Sequence, residues 1–310
     1  MFDDSHDRTA SLMTPARLAQ LKVRPRPAPS ATAWLDQLAA DAGSGHVRRL
    51  LDLRHQLAAL LHAGEVRAIV AGCDALGQAL AQVDFSLVQP RGWLARVTGG
   101  GKEPATRFAA QQAAVLRDGQ AWAAEVHTLQ KEQPARRTAV EHTLVECEVE
   151  LRAIEKILDQ GARWLQDMRA QLKARGAETG EAAQQKAGED EARCELLVAR
   201  LKLLRAASAA WQPVLQHGRA ACNARATLAA RCIQLLAEEW PAWRQRAEDL
   251  AEDASAHGNA GADADLARQA LARLQAALQS AGEQARDAQA RDQALADEVV
   301  ALQGSLQAAA

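Results

Sequence analysis

Between residues 144 and 172 an apolar or small side chain recurs at alternating spacings of three and four. The series is Leu144, Cys147, Leu151, Ile154, Leu158, Gly161, Leu165, Met168 and Leu172. On an α-helix this spacing places all of them on one seam. The positions between them are rich in Glu, Arg, Lys and Gln, and no turn signal interrupts the run. A helix of this kind cannot bury its seam alone, so the chain must supply or recruit further long helices.

The rest of the chain agrees. The 310 residues hold no Tyr, three Phe and only 3% aromatic residues. Residues that favour strands are scarce, while Ala, Leu, Gln, Arg and Glu, the strong helix formers, dominate. The expected fold is all-α, an elongated bundle of long antiparallel helices with coiled-coil segments. A net charge of −2 gives no basic excess for a nucleic-acid backbone, so nucleic acid is not expected as a partner. Five cysteines with no CxxC pair, and no apolar N-terminal stretch of the secretory kind, read as reduced thiols in a cytoplasmic protein. No window approaches the length and apolarity of a transmembrane span, which leaves peripheral membrane contact open.

Proline and glycine divide the chain. Residues 1–31 hold four of the nine prolines and read as a disordered Pro-rich tail. Residues 32–84 read as short helices packing on the rods, with breaks near Gly64. Residues 85–105 contain Pro90, Gly92, Gly99, Gly100, Gly101 and Pro104 and read as a hinge with a short amphipathic segment. Residues 106–310 read as a long-helix coiled-coil hairpin with loops near 176–190 and 253–264, and Asp265 as the N-cap of the last helix. Pro134 either kinks the first long helix or splits it; the kink is preferred because no Gly or Asn accompanies it. The last helix carries an Ala-rich seam, including Ala281, Ala285 and Ala288, which only Asp292 interrupts. Small seam residues bury little area each, so that helix is expected to be weak or completed by another chain.

No catalytic constellation emerges. Gly99-Gly100-Gly101-Lys102 lacks the leading Gly of a phosphate loop, and Glu103 stands where Ser or Thr is required. His142 and Cys147, like His217 and Cys222, are five apart and point away from each other on a helix. Neither a catalytic residue nor a metal or cofactor ligand is expected. One cluster differs from ordinary core: Trp240, Pro241, Trp243 and Arg244 place two indoles around a proline, with a guanidinium beside them. It is the candidate protein-docking cluster.

Three blocks, in order, resemble the toxic anion resistance family, the TelA-type proteins associated with tellurite resistance. They are VDFSLVQPRGWLARVTGG at 83–100, VEHTLVECEVELRAIEKILDQGARWLQDM at 140–168, and ACNARATLAARCIQLLAEEWPAWRQRAEDL at 221–250. In the third, Asn223, Leu228, Trp240, Pro241, Trp243 and Arg244 occupy the family's places. The Gly99–Lys102 run and Pro134 depart from its pattern. The resemblance implies a cytoplasmic, non-enzymatic helical scaffold or adaptor that acts through protein contacts in stress resistance. The alternative is a structural coiled-coil subunit of an unrelated assembly such as a defence, partition or secretion complex, self-associating through its seams.

Overall fold

The computed structural model describes residues 41–61, 64–88, 102–175, 180–256 and 261–310. The Pro-rich tail at 1–31, Trp34, Trp93 and the glycine run at 99–101 lie outside them. Among the described residues there is no strand. The helices are α1 (Ser44–Leu61), α2 (Glu65–Ala81), α3 (Lys102–Arg175), α4 (Glu181–Ala237), α5 (Glu239–Ala256) and α6 (Gly261–Ala309), with a 3₁₀ turn at Phe85–Val88.

α3 is 74 residues long and continuous through Pro134. The proline faces solvent. The carbonyl it leaves without an amide donor can therefore bond to water, and the buried Leu129 and Val140 hold both flanks in one helix. The alternative of two helices split near 133 is excluded.

Two loop assignments need correction. The loop expected near 176–190 is shorter, because α4 already begins at Glu181. Its first turn is anchored by Gly180, whose carbonyl accepts from the backbone N–H groups of Ala183 and Gln184. Residues 181–190 lose apolar periodicity because they are largely exposed, not because they unwind; Ala, Gln, Glu and Lys sustain a helix by propensity. The loop expected at 253–264 likewise narrows, since α5 extends to Ala256 and α6 starts at Gly261. Asp265 is therefore inside α6, where it accepts from Arg268 at 2.7 Å, and is not its cap.

The described chain falls into two compact units, each with its own core. One contains 156–203, where the end of α3 packs antiparallel on the start of α4. Leu165, Met168, Cys194 and Leu197 fill its core, flanked by Trp164, Leu172, Val198 and Leu201. Gly161 lets the helices approach: a Cβ there would meet Leu201 Cδ1 at 2.7 Å. The residue opposite that seam glycine is thus Leu201 of α4.

The other unit, 45–155 with 204–310, has four helical columns: α1 followed by α2, the first part of α3, the rest of α4 followed by α5, and α6. Neighbouring columns are antiparallel. His46 and Arg49 of α1 pair with Glu150 and Glu146 of α3. His217 and Arg225 of α4 pair with Glu298 and Asp292 of α6. Cys73 and Gly77 of α2 lie against Gly282 and Leu278 of α6. Leu144 of α3 sits over Gly218 of α4 in knob-and-hole fashion.

The main core joins Ile69, Leu76 and Leu80 of α2, Val115, Trp122 and Val126 of α3, Leu228 and Leu235 of α4, Trp243 of α5, and Leu274 and Leu278 of α6. A satellite cluster forms where Phe85 meets Phe108 at 5.9 Å between ring centroids, with Leu250, Ala264 and Ala267.

The α6 seam is not left open. Ala281, Ala285, Ala288, Leu295, Val299, Leu302 and Leu306 are all buried within the chain. The expectation that another molecule completes it is overturned. Its alanines serve close approach to α2, whose Cys73 Cβ lies 3.6 Å from where a Gly282 Cβ would stand.

Candidate functional site

The tryptophan block is interior. Glu238 separates α4 from α5, so Pro241 lies in the first turn of α5, where a missing N–H is tolerated. That turn aims both indoles inward. Trp240 is 8% exposed and Trp243 1%, with ring centroids 5.6 Å apart. Trp240 lies over Gly119 of α3 so closely that a Cβ at 119 would stand 1.9 Å from its Cη2. Pro241 and Arg244 face solvent, and Arg244 pairs with Glu248 of its own helix at 3.4 Å. As a docking cluster the four residues are corrected: the two rings are core anchors with no surface to offer a partner.

The densest chemistry lies instead at a layer that crosses all four columns. α2 contributes Glu65, α3 Arg136, α4 Arg225 and α6 Asp292. Arg225 Nε is 3.0 Å from both Asp292 carboxylate oxygens, and its Nη2 is 2.8 Å from Oδ2. Its Nη1 lies 3.5 Å from Glu65 Oε2. Arg136 clasps Glu65 with both Nη atoms. The Arg225 side chain is 6% exposed and those of Asp292 and Glu65 13% each. Two cations and two anions cancel, which is the condition for holding such groups away from water.

The layer perturbs its acids in opposite senses. Burial pushes the Asp292 carboxyl above the ordinary aspartate range, and Arg225 only partly pulls it back. Burial also acts to raise Glu65, but hydrogen bonding from Arg136 and the nearby positive charges outweigh it and hold it below the ordinary range. Beside the layer a cavity of about 20 Å³ is bounded by Gln133, Gly218, Cys222 and Arg225 among others. Gln133 Oε1, which has no hydrogen-bond partner among the described residues, and Arg225 Nη1, which has only its 3.5 Å ion pair with Glu65, are suitable partners for a single water in such a space.

Sequence reasoning missed this layer apart from one signal. Asp292 interrupts an otherwise strict apolar seam, and a charge at a seam position demands a partner. Nothing local in the sequence identifies Glu65, Arg136 and Arg225 as those partners, because they come from three other helices.

The thiols are equally internal. All five cysteines are free and buried. Burial pushes the thiol of Cys73 up to about 11 and those of Cys147 and Cys232 up to about 12. Cys194 and Cys222 are also raised by burial. Thiols held this far above neutrality are poor nucleophiles and poor metal ligands. No cluster of His, Cys, Asp and Glu that could hold a metal occurs among the described residues. Among them, too, no helix is long and apolar enough to cross a membrane. The arrangement does electrostatic and packing work: it fixes the axial register of four helices. Comparison with protein-family models, curated proteins and solved structures found no match.

Proposed function

We propose that the chain is a non-enzymatic, cytoplasmic helical scaffold or adaptor that acts through protein contacts in resistance to toxic anions such as tellurite. The resemblance of blocks 83–100, 140–168 and 221–250 to the toxic anion resistance family motivates the biological setting. The observation that carries the mode of action is on α3. Val145 and Val149, one helical turn apart, are 53% and 56% exposed, while the seam residues around them are buried. Two β-branched side chains left on one outward face, beside the spent interior chemistry, suit the docking of a partner helix. The alternative of a structural subunit in an unrelated assembly loses its main ground, because the α6 seam is filled from within.

Expression in a tellurite-sensitive bacterium tests the reading. Wild-type protein should raise tolerance, and Val145→Glu with Val149→Glu should lose that gain without lowering the melting temperature. Unchanged tolerance with soluble wild-type protein, or full tolerance with the double variant, contradicts it.

A further inference from the structure

The geometry points to a second heptad seam, on the outside of α4 in the unit containing 156–203, through which two copies of this chain pair antiparallel. Ala192, Leu196, Ala199 and Leu203 follow spacings of four, three and four, and all four are exposed. Leu196 is 63% and Leu203 38% exposed. At about 100° per residue, this strip lies roughly 160° around α4 from the buried strip of Cys194, Leu197 and Leu201. The inner strip is satisfied by α3. The outer one has the same periodicity, and among the described residues nothing is packed on it, which is the pattern of a coiled-coil face awaiting a helix.

Its own chemistry selects the occupant. In an antiparallel pair centred between residues 197 and 198, Leu196 faces the other copy's Ala199, and Leu203 faces its Ala192. Each of the four layers then sets one large side chain against one small one, which fills space evenly. The flank agrees. Glu195 and Lys202 are both exposed and lie one heptad apart on the same side of the strip. The twofold brings Glu195 of each copy to Lys202 of the other, giving two opposite-charge pairs. On the other flank Arg193 is held by Asp190 at 3.0 Å, and Arg200 is buried and donates to the Ala42 carbonyl at 2.8 Å. Neither cation therefore projects across the junction.

A parallel pair fits worse. It would stack Leu on Leu and leave Ala on Ala, with gaps at alternate layers. Its cross-strand partners for Glu195 and Lys202 would be the buried Arg200 and the uncharged Ala207. The strip is short, so the dimer should be weak and concentration-dependent. This pairing does not depend on the stress-resistance reading, since it is a property of the purified chain.

Sedimentation equilibrium of the full chain across a wide concentration range is the test, with charge variants read against wild type. Wild type should dimerise reversibly. Leu196→Glu with Leu203→Glu should be monomeric while keeping the wild-type helical signal and melting temperature. Glu195→Lys alone turns two attractions into two repulsions and should weaken dimerisation by about tenfold. Adding Lys202→Glu should restore it, because the swapped charges again face each other across the twofold. A wild-type monomer at every concentration, a dimer that survives the Leu196 and Leu203 substitutions, or a charge swap that fails to restore what Glu195→Lys removed would each overturn the proposal.

Discussion

Substitution of one hydrogen at Gly119 should unsettle the bundle as much as many larger core changes. A methyl at that position would stand 1.9, 2.4 and 2.6 Å from Cη2, Cζ2 and Cζ3 of Trp240. Ordinary carbon–carbon contacts are about 3.5–4.0 Å, so ring or backbone must shift by roughly 1.5 Å. The ring has no room to swing as a flexible tip would, because it is rigid, buried and packed on Trp243. Overpacking of this kind costs about 1–3 kcal/mol, occasionally more. Against it stands the helix-propensity gain of Gly→Ala, about 1 kcal/mol. The net expectation for Gly119→Ala is a loss of up to about 2 kcal/mol. In a unit of this size that lowers the melting temperature by up to roughly 8 °C.

Gly304→Ala is the matched control. A Cβ there meets nothing within 4 Å, so only the propensity term remains and the variant should gain up to about 1 kcal/mol. Thermal and urea unfolding followed by circular dichroism measure both variants, and tryptophan emission reports the displaced indole. Combining Gly119→Ala with Trp240→Leu should cost less than the two singles added together, because the smaller side chain vacates the contested space. If Gly119→Ala stabilises as much as Gly304→Ala, Trp240 does not occupy the notch, and the packing described for the start of α5 is wrong.

Glu65 should give the fold an acid sensitivity of known sign. Its folded-state pKa lies below the reference 4.5, so as pH falls the unfolded chain takes up this proton first. Its contribution is present above that value and is lost as pH drops through the lowered one. The stability difference between wild type and Glu65→Gln should therefore shrink in acid, and a difference constant from pH 7 to pH 3 would contradict the layer's electrostatics. The cysteines should be silent in the native state. With thiols buried and raised, alkylation at pH 8 should be at least about a hundredfold slower than in urea for all five. Rapid native labelling of Cys73, Cys147 or Cys232 would contradict their placement.

Much of the helical plan is readable without coordinates. The seam from Leu144 to Leu172 predicts a helix because its period is a local property, and the structure buries its Leu144, Cys147, Leu151 and Ile154. Residues 181–190 look like a loop for the complementary reason: exposed helix has no period to show, only propensity. Trp240 and Trp243 read as surface because polar neighbours and a proline surround them. Their burial depends on Gly119, more than a hundred positions away, and one glycine in a long helix carries no sign of what lies over it. The charge layer lies between these cases. Asp292 announces itself as a fault in a seam, while its neutralising partners become neighbours only when four columns are stacked in register. Interior charge is thus visible one residue at a time, and its compensation is a tertiary fact.

The buried charges serve the register of the bundle. Urea unfolding of Asp292→Leu, Arg225→Met and the double variant tests this most directly. Asp292→Leu alone leaves Arg225 buried with only Glu65, 3.5 Å away, to answer it, and should cost about 3 kcal/mol. The double variant removes one charge of each sign, leaves the Arg136–Glu65 pair intact, and continues the apolar seam. It should recover to within about 1 kcal/mol of wild type, or exceed it. Single variants that are harmless, or a double variant that loses the sum of the singles, would contradict the claim.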